Sequence, residues 1–173
     1  VQLETMVPEL TVVTQNVDGL HQLAGSGKVW ELHGNILRSR CHVTQRPIGS
    51  DWLADSPHSP PRSPYVEGGL ARPDVVWFGE VLPTAAVEAA VAAASRCDFC
   101  FSIGTTSLVQ PAASLPLVAL EHGAALVEIN PAATPLSRPR CSPPPKSARP
   151  STAAPRPSRT ATAASPSSFT VPC

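Results

Sequence analysis

The stretch CDFCFSIGTTS, Cys97 to Ser107, decides the fold. Cys97 to Ile103 is an unbroken apolar run, suited to a strand in a sheet buried on both faces. Gly104-Thr105-Thr106-Ser107 then closes it with a turn of small residues. Downstream, Gln110 to His122 reads as helical, with Pro116 expected to kink it and Gly123 as its C-cap. Ala125 to Ile129 is the next strand. Upstream, Thr84 to Ser95 is Ala-rich and follows Pro83, which suits a first helical turn. Asp74 to Phe78 reads as a strand before it. Strand, helix, strand, helix, strand from Asp74 to Ile129 predicts an α/β fold with a doubly wound parallel sheet and helices on both faces.

Earlier in the chain, Val1 to Met6 reads as the end of a helix closed by Pro8, and Leu10 to Thr14 as a strand. Val29 to Leu32 and Ile36 to His42 are short extended runs separated at Gly34. Residues 43–72 contain Pro47, Pro57, Pro60, Pro61 and Pro64 and read as a small irregular insert. From Ser137 the text changes. Residues 137–173 hold six Lys or Arg and no acid, and Pro, Ser, Thr, Ala and Arg make up nearly all of them. Such a composition cannot bury enough apolar surface to offset its conformational entropy, so disorder is expected. The chain thus divides into an α/β domain over 1–136 and a tail over 137–173.

The net charge of zero hides an asymmetry, because residues 1–136 carry thirteen acidic against seven basic groups. An acidic body argues against a nucleic-acid surface, which needs clustered Lys and Arg. No apolar run reaches the ~18 residues of a membrane span, and the first residues have no signal-peptide order. Five irregularly placed cysteines do not form a disulfide framework, and a reducing cytoplasm fits them. Cys97 and Cys100, read on one strand, would point to opposite sides as small core residues.

Ligands of open α/β sheets bind outside the carboxyl ends of the strands. Three such ends here are polar. Thr14-Gln15-Asn16-Val17-Asp18-Gly19 is the first, Gly104-Thr105-Thr106-Ser107 the second, and Asn130-Pro131-Ala132 the third. Any one of them is ordinary turn chemistry. All three in one sheet suit a nucleotide, whose phosphates and ribose need close backbone approach and amide partners. His33, in Glu31-Leu32-His33-Gly34, is the best general-base candidate, since imidazole titrates near neutrality.

Five segments in order, TQNVDGLH (14–21), ELHG (31–34), RPDVVWFGE (72–80), GTTSLVQPAA (104–113) and EINPAATPL (128–136), resemble the sirtuin family of NAD-dependent protein-lysine deacylases. The likeness covers Leu10 to Leu136. It implies a partial Rossmann-like sheet, NAD as cofactor and an acylated-lysine protein or peptide as substrate. The acyl group would pass to ADP-ribose with release of nicotinamide. By the same resemblance, His33 and Asn16 would be catalytic, His33 as the base. Gln15 and Asn16 would meet the nicotinamide ribose, and Val17 and Asp18 the nicotinamide. Gly104, Thr105, Thr106, Asn130, Pro131 and Ala132 would hold the adenosine half. Val75, Val76, Phe78 and Val109 would line a tunnel for the lysine stem, while Gly79 and Glu80 would pair with the peptide as an added strand.

The sequence departs from the family in three places. A structural zinc wants four S or N ligands, and where two cysteine pairs are expected only Cys41, His42 and His58 are near, so no zinc is expected. No glycine-rich phosphate turn precedes Leu10, so a piece is expected to be missing there and NAD binding to be weak. The tail has the composition of GC-rich codons read out of frame, and a frameshift is expected. The rival functional reading is a non-catalytic fragment that binds NAD, ADP-ribose or acyl-lysine only.

Overall fold

The computed structural model describes residues 1–137. The expected disorder over 137–173 therefore lies outside the described residues, apart from Ser137. The elements are β1 (Val12–Thr14), α1 (Leu20–Leu23), β2 (Val29–Glu31), β3 (Gly34–Cys41), β4 (Pro47–Ile48), α2 (Ser50–Ala54), β5 (Ala71–Val75), α3 (Thr84–Arg96), β6 (Phe99–Ile103), α4 (Leu115–Glu121) and β7 (Ala125–Ile129). Short 3-10 turns cover Gln2–Thr5 and Ala112–Ser114.

Two parallel βαβ units carry the fold. β1 pairs with β2 in register Val12↔Val29 to Thr14↔Glu31, and β6 with β7 from Phe99↔Ala125 to Ile103↔Ile129. Parallel partners need a crossover, which α1 and α4 supply. The third sheet is antiparallel, in the order β4-β3-β5. Here the sequence reading needs correction. The strand expected at Asp74 to Phe78 is β5, Ala71–Val75, and it pairs antiparallel with β3 rather than joining the parallel sheet. Its last residues, Val76 to Phe78, leave the strand for the loop that follows. A short apolar run does not encode the direction of its partner, which explains the error.

The main core lies between these units. Ala86 and Ala90 of α3, one turn apart, are buried against Leu32 and Ala112, with Val13, Trp30, Val87 and Leu115 packed around them. Small residues on α3 let its backbone lie close to α4 and β2, which is why an Ala-rich helix with few large apolar groups still packs. Leu32 is 1% exposed, and truncating it to Ala costs about 2–5 kcal/mol by the usual cavity penalty. A second core holds the antiparallel sheet: Cys41, Ile48 and Ala71, with Leu53, Tyr65 and Val66 against them. The insert is thus more ordered than expected, with β4, α2 and an Arg62↔Leu70 bridge inside it.

Three further expectations change. Pro116 does not kink a helix; it sits in the first turn of α4, where its missing N–H costs nothing. β6 is not buried on both faces. α4 packs one side of the β6–β7 pair, while Phe99, Phe101 and Ile103 with Val127 and Ile129 are exposed on the other. Cys97 is not on the strand but is the C-cap residue of α3. Cys100, on β6, is half-buried, and burial with the neighbouring Cys97 pushes its thiol up to about 11. Among the described residues no helix is long and apolar enough to cross a membrane.

Gly34 is the pivot between the parallel and antiparallel units. Its φ is +78, and a Cβ there would lie 2.0 Å from the carbonyl oxygen of Asp74. Gly34→Ala is therefore expected to destabilise the chain by about 2–4 kcal/mol, from backbone strain plus the clash. Gly49→Ala, which meets nothing within 4 Å and has ordinary extended backbone, is the control and is expected to stay within about 0.5 kcal/mol. Urea unfolding measures both; a wild-type midpoint for Gly34→Ala would contradict the close approach.

Candidate functional site

The carboxyl ends of β1, β2 and β6 meet at one place. Leaving β1, the chain makes a turn in which the Asn16 N–H donates to Thr14 Oγ1 at 3.0 Å. This turn aims the Gln15 side chain across to the other βαβ unit, where its Nε2 donates to Thr105 Oγ1 at 3.2 Å. The Gln15 carbonyl faces back toward His33, which follows β2, and His33 Nδ1 lies 3.1 Å from it. A carbonyl oxygen only accepts, so Nδ1 carries the proton in this bond. In the neutral ring Nε2 is then left with a free lone pair, the arrangement a general base needs. The main chain of His33 is fixed as well, because the Val76 N–H donates to its carbonyl at 2.9 Å.

His33 borders an open cleft of about 840 Å³. Of the residues singled out in the sequence, Gln15, Val17, His33, Val75, Val76, Phe78, Gly79, Glu80 and Val109 all line it. The sequence reading missed several other lining residues, among them Trp77, Leu82, Val87, Gln110 and Pro111. Trp77 lay inside a quoted motif and could have been found; Val87 belongs to an Ala-rich helix that carries no motif. One wall of the cleft is strongly apolar. Phe78 is fully exposed and Trp77 is 57% exposed at its rim.

Other candidates stand apart from the cleft lining. Asn16 is exposed, with its Nδ2 3.5 Å from Asp18 Oδ2. Asp18 Oδ1 accepts the Leu20 N–H at 3.0 Å, so this carboxylate also starts α1. Gly104, Thr105 and Thr106 form the turn after β6, and Thr105 is tied to the cleft only through Gln15. The Asn130 side chain donates to the Ala132 carbonyl at 2.9 Å, closing the Asn130-Pro131-Ala132 turn on itself. Ser107, in the same small-residue turn as Thr105, is buried, and its hydroxyl has no hydrogen-bond partner among the described residues. A buried polar group without a partner is costly and sets this hydroxyl apart from the ordinary turn residues around it.

Charge is arranged in a chain beside the cleft. Arg38 bridges Glu31 at 2.7 Å and Asp74 at 3.2 Å, Arg40 bridges Asp74 and Glu80, and Arg72 holds Glu80 at 2.5 Å. Burial pushes the Glu31 carboxyl up, but hydrogen bonds from Asn35, Arg38 and Gln22 outweigh it and the net shift is downward. The hydrogen bonds from Arg72 and from the Trp77 N–H hold Glu80 down to about 2. The Glu80 N–H donates to the Trp77 carbonyl at 2.9 Å, within the turn itself.

The comparisons with known proteins agree with this geometry. The Sir2 family model matches residues 1–111. An NAD-dependent protein deacylase of Aeropyrum pernix is 51% identical over 120 residues, covering 69% of this chain and 48% of that protein. NAD-dependent protein deacylase 1 of Caldanaerobacter subterraneus is 47% identical over 138 residues, covering 79% of this chain and 56% of the relative. Among solved structures, a complex of Sir2 with a p53 peptide and NAD+ matches with a TM-score of 0.69 at 36% identity, over 79% of this chain and 57% of that one. A complex of a Sir2 homolog with NAD matches with a TM-score of 0.70 at 41% identity, over 78% and 52%. The fold is therefore Rossmann-like α/β, and the chain belongs to the Sir2 family. It spans about half the length of the curated relatives it matches.

The tautomer gives a direct test. Nitrogen-15 shifts of the imidazoles, read at a pH where His33 is neutral, are expected to show its proton on Nδ1. A proton on Nε2 would mean that the contact to the Gln15 carbonyl is not made in solution.

Proposed function

We propose that this chain works as an NAD-dependent protein-lysine deacylase, moving an acyl group from a lysine side chain to ADP-ribose with release of nicotinamide. The observation that carries the reading is His33. Its Nδ1 is held by the Gln15 carbonyl while its other nitrogen is free beside an apolar cleft. NAD would supply the leaving nicotinamide and the ribose that accepts the acyl group. His33 would take a proton from a ribose hydroxyl, with Asn16 as the second catalytic group. Gln15 and Asn16 would face that ribose, and Val17 and Asp18 the nicotinamide ring. The unpartnered Ser107 hydroxyl supports placing the rest of NAD along Gly104, Thr105 and Thr106, with Asn130, Pro131 and Ala132 at the adenosine end.

The acyl-lysine would lie along Val75, Val76, Phe78 and Val109. An apolar wall suits a neutral amide and disfavours a free ammonium, since burying an unpaired charge is costly. That difference favours binding of the acylated lysine and release of the product. The substrate would be an acylated protein or peptide, met in the cytoplasm, where thiols such as Cys41 and Cys100 stay reduced.

The reading extends to the antiparallel module without zinc. Cys41 is its single cysteine, fully buried, with its sulfur accepting the Thr44 N–H at 3.5 Å. Thr44 and Ser63 hydroxyls stand around it in place of further thiols. Among the described residues no cluster of three or more His, Cys, Asp or Glu could hold a metal ion. Thiolate and imidazole are what a structural zinc takes, and one sulfur does not fit that donor set.

Nicotinamide release decides between catalysis and binding alone. The chain with NAD and an acetyl-lysine peptide is expected to release nicotinamide above the background of its His33→Ala variant. Loss of ~10²–10⁴-fold in that variant is the usual scale for a general base. Equal release from both would leave only the non-catalytic reading. In a separate measurement, the thermal midpoint is expected to be unchanged by EDTA; a drop would show that a metal holds the module.

A further inference from the structure

Arg40 of β3 and Arg72 of β5 lie directly opposite each other in the antiparallel ladder. Like charges so placed repel, and both side chains are mostly buried, at 18% and 20% exposure. The pair persists because acids and carbonyls surround it. Arg72 grips Glu80 with both ends of its fork, Nη1 to Oε1 at 2.5 Å and Nη2 to Oε2 at 2.8 Å. The same Nη2 reaches the Val75 carbonyl at 2.6 Å. Arg40 adds longer contacts to the Val75 carbonyl at 3.4 Å and to Glu80 at 3.5 Å.

What Glu80 does with this grip is specific. Its Oε2 accepts the Trp77 N–H at 3.0 Å, while its own N–H donates to the Trp77 carbonyl at 2.9 Å. The turn from Trp77 to Glu80 is thereby closed on both sides, with Gly79 at φ +86 making the bend. This turn follows β5 directly and forms the apolar wall of the cleft. Its side chains have little packing of their own, as the full exposure of Phe78 shows. An apolar wall without a core behind it needs another anchor. The bidentate Arg–carboxylate pair is the strong, directional kind.

We propose that Glu80, gripped by Arg72 and Arg40, is a positioning residue that sets the Val75–Gly79 wall of the cleft. Glu80 borders the cleft itself, and its positioning effect runs through the turn that it closes. For binding, this rests on the deacylase reading above; for the loop itself, it does not.

Amide hydrogen exchange on the full chain tests it, with Glu80→Gln and Arg72→Gln singly and together. Each single variant is expected to raise exchange of Val76 to Glu80 by about tenfold, with β6 and β7 amides unchanged. The double variant is expected to be looser by less than the sum of the two, because both remove the shared Arg72–Glu80 pair. Glu80→Asp, which keeps the charge but shortens its reach, is expected to fall in between. Wild-type exchange in Glu80→Gln, additive loosening in the double variant, or loosening that spreads to β6 and β7 would each overturn the proposal. Calorimetric titration with an acetyl-lysine peptide in the presence of NAD then tests the consequence, with affinity in Glu80→Gln expected to fall several-fold. A loosened loop with unchanged affinity would refute the role in binding. Absence of peptide binding by the wild-type chain, with the exchange pattern intact, would instead sink the deacylase reading.

Discussion

Everything at the site hangs from the close approach at Gly34. There the chain leaves the parallel β1–β2 pair and enters the antiparallel sheet, passing so near the Asp74 carbonyl that no Cβ fits. That passage places His33 at the junction of two sheets. One sheet supplies the Gln15 carbonyl for its ring, and the other supplies the Val76 N–H for its main chain. A ring held from one side and a backbone held from the other cannot rotate its free nitrogen away from the cleft. The usual alternative, a histidine on a loop, would have to be ordered by its ligand at an entropic cost.

The two halves of the molecule solve different problems. The parallel units present polar turns at their carboxyl ends, and the Gln15–Thr105 hydrogen bond keeps two of those ends together. The antiparallel module gives a wall, built from β5 and the turn that follows. Its own core is small, and Cys41 sits at the centre of it among Ile48 and Ala71. A buried thiol can serve as an ordinary small core group, and its hydrogen bond from Thr44 satisfies the turn around it.

Much of this was legible in the sequence, and the boundary between what was and was not has a physical cause. His33, Gln15, Val17 and the residues Val75, Val76 and Phe78 were legible because each lies in a short local motif. The α3 helix was legible because nothing breaks it between Thr84 and Arg96. The direction of β5 was not, since an apolar run pairs either way. The exposure of Phe99, Phe101 and Ile103 was not either, because a strand's burial depends on which neighbours cover it. Nor were the ion pairs. Arg38, Arg40, Arg72, Asp74 and Glu80 come from β3, β5 and the loop beyond, and no local spacing announces that they meet. Only the ladder register brings Arg40 opposite Arg72.

The alternating chain from Glu31 through Arg38, Asp74, Arg40 and Glu80 to Arg72 holds three acids and three arginines. It is stiff at short range and silent at long range, because its charges cancel within a few ångströms. The array itself therefore adds no long-range steering at the cleft, of the kind a one-signed rim would give. Any long-range field there comes from the rest of the body, where residues 1–136 hold thirteen acids against seven bases. At the cleft itself, shape and an apolar wall are left to discriminate at contact.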